Sequence, residues 1–337
     1  MQNLDLTDVR SIIQSLKDGI KEYRDAGKFK EMLDNMVKFY QYSFNNQMLI
    51  LAQKPDATYC GSLKFWNGLG RYVEKEALRE GGIKILCPVP YEEEYEKKDF
   101  EGKVILDKDG NPEVQKVKGI RFKVGRTFDI SQTYGKELKL GGNELVGEGL
   151  DIANFLEQMK EIAEVNDIRI EPMTFSSAKG YFDTKKREIV VKEGMSDLHT
   201  TKTVVHESAH SLVFKDKELE ESLTREEHEI VAESVAYVVC KRFGLDTSEY
   251  SFNYVNGWAS EDDAKIEKCV DFIASTSKTL IERMEDKLGL KKDLDIKKDL
   301  HNEKASEIKK TKAQTKKKSY QKGLKKANDF VIIIRDV

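Results

Sequence analysis

The chain has 337 residues, 39% of them hydrophobic and 35% charged, so its size predicts two domains and a polar remainder. No run of about 18 apolar residues occurs, which excludes a long apolar membrane span, and the opening "MQNLDLTDVR" lacks an apolar signal core and reads as cytoplasmic sequence. The net charge of −3 hides a gradient, balanced over 1–150, −11 over 151–274 and +8 over 275–337, which argues against one uniform nucleic-acid-binding surface.

The four cysteines, Cys60, Cys87, Cys240 and Cys269, form no CxxC pair and read as small apolar residues in a reducing compartment. In chain order, Thr7 is expected to cap a first helix, "DVRSIIQSLKDGIKEYRD", whose Val9, Ile12, Ile13, Leu16 and Ile20 recur at helical spacing up to a stop at Gly27. A second helix is expected from Phe29 to Gln53, ended by Pro55. The glycine-punctuated "GSLKFWNGLGRYV" and "GGIKILCPVPY" predict strands and tight connections. "GKVILDKDGNPEVQKVKGIRFKV" predicts a hairpin turning at "KDGNP", and "RTFDISQTYG" a further extended segment.

The glycine-rich stretch over 135–150 reads as a linker, and "IANFLEQMKEIAEV" after Asp151 as an amphipathic helix. "GYFDTKKREIVVKEG" predicts two strands around a polar turn. Ser196 or Asp197 should cap the next helix, and another should run from Arg225 to Phe243 with Gly244 as its stop. From Asp286 to Asn328 the sequence is Lys-rich, with little apolar surface to pack it, and reads as a solvated arm or a salt-sensitive DNA contact. The last residues, "FVIIIRDV", are strand-like and apolar.

The chemistry concentrates in "TVVHESAHSLVF", Thr203 to Phe214. On a helix, His206 and His210 lie one turn apart on one face, so both rings can reach one cation. Glu207 lies about 100° round from His206, off the ligand line and where a general base can take a proton from metal-bound water. Val204, Val205, Ala209, Leu212 and Val213 would bury this helix and fix the ligands. Catalytic zinc commonly takes three protein ligands and a water. The next helix supplies Glu229, 18 intervening residues after His210, with Glu233 one turn further on the same face. The spacing suits a gluzincin site: one Zn2+ on His206, His210 and Glu229, with Glu233 as a supporting acid or the alternative ligand. Tyr237 and Tyr254 are the candidate oxyanion donors. His228 reads as surface, and His199 and His301 receive no role.

With these residues in view, the chain resembles ArdC-type antirestriction proteins of conjugative elements. The resemblance covers most of residues 1–285. It rests on "TVVHESAH", "EIVAESVAYVVCKRFGLDTS" and "YVNGWAS" in the second half, and on "YSFNNQMLILAQKPDAT", "FWNGLGRYV", "GIKILCPV" and "FDISQTYG" in the first. It implies an α+β protein of two domains: a single-stranded-DNA-binding module over 1–140 and a mainly helical, zincin-like metallopeptidase domain with a short sheet over 150–285. A basic tail, 286–337, lies outside the resemblance. The acidic "EEEYEKKDFEGK" departs from the family as an insertion, and "EKEALREGG" is longer and more acidic than the family's basic step.

Single-strand binding needs aromatic faces for bases and cations along the phosphates. Lys64, Trp66, Arg71, Tyr72 and Lys84 are the expected contacts, among Tyr42, Phe65 and Lys75, with Asn45 and Asn46 as polar readers. The implied role is to protect incoming DNA from restriction during conjugation, with the protein substrate of the metal site unknown. Two other readings stay open: a regulatory metalloprotease of the ImmA/IrrE type that cleaves a repressor, and a DNA-binding protein whose metal is not catalytic.

Overall fold

The computed structural model describes residues 5–19, 25–138, 151–173, 178–245 and 263–288. Residues 139–150 of the expected linker over 135–150, Tyr254, the "YVNGWAS" segment, His301, the Lys-rich stretch beyond 288 and the final apolar residues lie outside them. Helix α1 spans Val9–Gly19. Its cap is Asp8, whose side chain accepts the Ser11 N–H, while the expected cap Thr7 bonds Asp5 instead. Helix α2, Ala26–Phe39, is capped by Asp25, so Gly27 lies in its first turn and does not end α1.

The single helix expected over Phe29–Gln53 is two. Ser43 leaves helical geometry and accepts the Asn46 N–H, which starts α3 at Phe44–Gln53. A local side-chain cap competes here with helix continuation, and the bend lets both segments bury an apolar face.

After β1 (Cys60–Gly61) come α4 (Leu63–Gly68), β2 (Arg71–Val73), α5 (Lys75–Glu80), β3 (Ile83–Glu96), β4 (Val114–Asp129) and β5 (Thr133–Gly135). The short helix α4 replaces expected extended chain, and α5 forms in a stretch for which no element was expected. Ser62 caps α4, and Gly81, at φ 90°, closes α5 in the left-handed region. The strands form a three-stranded sheet in the order β1-β4-β3 and a pair β2-β5.

The "KDGNP" turn is present, with Asp107 accepting the Asp109 and Asn111 N–H groups. The ladder, however, pairs β3 with β4 from Ile83↔Thr127 to Glu96↔Val114. The acidic "EEEYE" is the outer half of β3, facing a basic strand. Lys116 bridges Glu92 and Glu94, and Arg121 bridges Glu93. The sequence pattern missed this because the compensating charges lie about 25 residues away across the ladder.

In the second half, α6 (Ile152–Ile162) precedes β6 (Asp167–Glu171), β7 (Gly180–Asp183) and β8 (Glu188–Lys192). The sheet order is β6-β8-β7, with β6 parallel and β7 antiparallel to β8, which leaves β7 at an edge. Then follow α7 (Asp197–Lys215), α8 (Lys217–Ser222), α9 (Arg225–Arg242) and α10 (Asp263–Lys287). Ser196 caps α7, Thr224 and Glu227 form a capping box on α9, and Gly244 ends α9 at φ 73°. The architecture is α+β. Among the described residues no helix is long and apolar enough to cross a membrane.

One apolar core takes in both halves of the chain. Ile12, Phe29, Leu33 and Met36 of α1 and α2 join Phe155, Val204, Val235, Val239, Ile273 and Leu280 of α6, α7, α9 and α10. Each such side chain, taken from water, contributes about 1.5–3 kcal/mol. Smaller cores form around Trp66 and Phe128, and around Phe39 and Ile50. The helices that carry the metal-site motif are thus braced by the first helices of the chain.

Candidate metal centre

Helix α7 is buried on nearly all sides: Val204, Val205, Ala209 and Val213 are sealed in the core, and Ser208 returns its hydroxyl to the Val204 carbonyl. Against it lies α9, equally buried from Val231 to Cys240. Two such helices cannot roll independently, so the polar side chains between them have fixed positions. His206 and His210 project toward Glu229 of α9.

The two Nε2 atoms are 3.2 Å apart, and the Glu229 carboxylate oxygens stand 3.5 Å from His206 and 3.6 Å from His210. All three ligand atoms lie within 4.8 Å of one another. Ligands held 2.0–2.1 Å from a tetrahedral ion are separated by about 3.3 Å. Two imidazoles and a carboxylate at this spacing could therefore hold one divalent cation beside a cavity.

The electrostatics agree with that donor set. Hydrogen bonds from His206 and His210 hold the Glu229 carboxyl far below the usual carboxylate range, and burial only partly opposes them. Burial disfavours charge on His206, yet the bond to Glu229 and the charge of Glu207 leave its pKa raised. Glu233, one turn beyond Glu229, has its pKa raised by burial and, among the described residues, makes no hydrogen bond to either ring. Of the two acids, Glu229 is the one brought to the histidines.

Glu207, lining the same cavity, lies toward edge strand β7. It is buried, which raises its pKa, while the two histidines and the Phe182 backbone N–H pull the other way. Gly180 makes this approach possible: a Cβ there would sit 2.6 Å from Thr203 Cγ2 and 2.8 Å from the Val190 carbonyl oxygen. The sheet thus presents a backbone donor to the acid and keeps it beside the ligands without joining them.

A cavity of about 750 Å³ opens onto this group, lined also by Tyr181, His199, Lys202, Phe214, Arg225 and His228. His228, read as surface, and His199, given no role, both line this cavity. His199 bonds Ser196 and His228 approaches the Glu220 carbonyl, both at the cavity wall. Their signal was present in the sequence: His199 precedes His206 by two helical turns on the same face. Tyr237 is corrected as an oxyanion donor. It is buried two turns past Glu229, its hydroxyl held by Asp34, Lys30 and Lys241.

The expected DNA contacts separate in the same way. Trp66 is 0% exposed and donates its indole N–H to the Phe128 carbonyl at 2.9 Å, so it has no face to offer a base. The Arg71 guanidinium is spent on Thr133 and on the Lys136 carbonyl, where it ties β2 to β5. Lys84 bonds the Leu6 carbonyl, and both ends of the Asn46 amide bond the backbone of Leu86. These four hold the fold together. Lys64 and Tyr72 remain exposed.

Fold and site together define an α+β chain whose buried helix pair brings together three side chains that could hold a divalent cation. Residues 6–128 match the family of the N-terminal domain of anti-restriction factor ArdC. Over 307 residues it is 26% identical to an uncharacterized Bacillus anthracis protein, pXO2-81, covering 81% of this chain and 50% of that protein. The chain thus spans about half the length of the curated relative it matches. Among solved structures, the metal-free antirestriction ArdC protein from R388 plasmid is 19% identical, with a TM-score of 0.41, over 72% of this chain and 85% of that one. Its Mn(II)-bound form is 18% identical, with a TM-score of 0.40, over 71% and 83%.

Proposed function

We propose that the chain is an antirestriction protein of a mobile genetic element. It binds single-stranded DNA through residues 1–140 and carries a zinc-dependent, peptidase-like site in residues 150–285. The N-terminal family match supports the first half of this reading. The second half is carried by one observation: three ligand atoms of His206, His210 and Glu229 converge while Glu207 stays beside them, outside the donor set. Zinc is the favoured ion because two imidazoles, one carboxylate and an open position are its usual catalytic environment.

When bound, the ion supplies Lewis-acid polarisation of a carbonyl and a more acidic water. Glu207 then acts as the proton carrier, taking a proton at its carboxylate and returning it to the leaving amine nitrogen. Its burial-raised pKa suits a group that must be base first and acid afterwards. Strand β7 packs close against the acid, with Glu207 Cγ 3.5 Å from where a Gly180 Cβ would stand, which limits the search its side chain must make.

The test is metal analysis and proteolysis on wild type and Glu207→Ala, with titrations of single-stranded and duplex DNA at several salt concentrations. Both proteins should hold one zinc per chain, and only wild type should cleave. Metal in both without cleavage in either would leave a DNA-binding protein with a structural ion. Equal affinity for single strand and duplex would remove the single-strand assignment.

A further inference from the structure

Strands β2 and β5 pair with Tyr72 directly opposite Tyr134. Side chains alternate along each strand, so this pair shares the outer face, while Val73 and Thr133 are buried on the inner one. The two tyrosines are 52% and 58% exposed, with ring centroids 5.9 Å apart and planes inclined by 40°. We propose that Tyr72 and Tyr134 form a two-ring stacking platform for successive bases of a single strand. This rests on the single-strand-binding reading above and names the surface that performs it.

Three observations carry the inference. First, the platform is rigid. Arg71 grips β5 through Thr133 Oγ1, the Thr133 carbonyl and the Lys136 carbonyl, and the Lys136 N–H returns to the Gly70 carbonyl. A pre-ordered aromatic surface loses little entropy when a base settles on it.

Second, the next position along the same face is open on one strand and cationic on the other. Gly70 lies opposite Lys136, two residues from each tyrosine, and a Cβ at Gly70 would stand 3.7 Å from Lys136 Cβ. An exposed ammonium beside two free rings is the arrangement a phosphate followed by stacked bases requires. Lys64 is also exposed, on α4, the helix that packs against β2.

Third, the tyrosines of the β3–β4 ribbon do not offer this chemistry. Arg121 already covers the Tyr91 ring at 4.2 Å, Tyr95 bonds Glu93, and the acids of β3 surround both. The choice of a nucleic-acid single strand over a protein partner follows from the adjacent cation and from the sequence tolerance of base stacking, which needs only ring faces.

The experiment is a polarisation titration of labelled oligothymidylate against full-length protein. It compares wild type, Tyr72→Ala, Tyr134→Ala, both Phe variants and Lys136→Ala, with melting curves to confirm folding. Each alanine should weaken binding roughly tenfold or more, and the phenylalanines should restore it because the ring and not the hydroxyl is used. Lys136→Ala should reduce the salt slope by about 0.7. Photo-crosslinking through bromouridine-substituted DNA should map to Tyr72 or Tyr134. If wild type binds the single strand and the folded alanine variants bind equally well, the platform is wrong and the single-strand reading stands. A loss that phenylalanine does not restore also overturns it. If wild type binds no single strand at low salt, both fall together.

Discussion

Substituting Glu285 by alanine removes one acid that ties three helices at once. Its carboxylate accepts Arg242 Nη2 at 2.7 Å and Nε at 3.2 Å, and the Tyr40 hydroxyl at 2.9 Å. The Arg242 and Glu285 side chains are only 11% and 3% exposed, so water cannot replace the lost partner. Stranding a buried cation costs about 3–5 kcal/mol. The Tyr40 hydroxyl also loses its acceptor, about 1–3 kcal/mol on its own, but the two losses share one network and do not add.

The expected loss is therefore about 3–5 kcal/mol, against a typical domain stability of roughly 5–15 kcal/mol. Tyr40 lies in the stretch matched by the ArdC N-terminal family, while Arg242 and Glu285 belong to α9 and α10. The damage should therefore reach both halves. Urea denaturation followed by circular dichroism and by tryptophan fluorescence should show both signals moving to lower midpoints with little change in slope. Replacing Arg242 and Glu285 together by leucine should cost less than Glu285→Ala alone, since no charge is left stranded. A single-variant loss under about 1 kcal/mol, or a double variant worse than the single, would refute the reasoning.

Other substitutions address the site more directly. Glu229→Ala should abolish stoichiometric metal binding, whereas Glu233→Ala should keep the ion with affinity lowered about 10–100-fold at most; the opposite pattern in metal analysis would make Glu233 the ligand. Gly180→Ala should destabilise the protein by about 1–3 kcal/mol through contact with Thr203 and Val190, and should lower cleavage more than metal content, because the ligands lie on α7 and α9. Unchanged midpoint and activity would show that β7 need not approach α7 so closely. Trp66→Phe should cost about 1–3 kcal/mol by leaving the Phe128 carbonyl without its indole donor. DNA affinity per folded molecule should stay the same, and a specific loss of affinity would return Trp66 to the binding surface.

The local rules read well wherever a residue's neighbours in sequence are also its neighbours in space. The 3.6-residue period alone puts His206 and His210 on one face, and Ser196 and Gly244 mark helix ends by bonds made within a few residues. The "KDGNP" turn is of the same kind. The Phe29–Gln53 pattern failed because apolar spacing continues across the bend, and only the Ser43 cap interrupts the backbone. The ribbon failed because the partners of its acids lie on the returning strand.

What the sequence determined by itself was the pair of histidines with an acid between them, since helical geometry fixes that spacing whatever the helix packs against. Tertiary structure alone decided which downstream acid meets them, because that depends on how α9 rotates and slides in its contact with α7. It also decided that Trp66, Arg71 and Lys84 face inward while Tyr72 meets Tyr134 outside. A side chain's chemistry says what it can bind, but only the closed core and the completed hydrogen bonds say which groups are already spoken for.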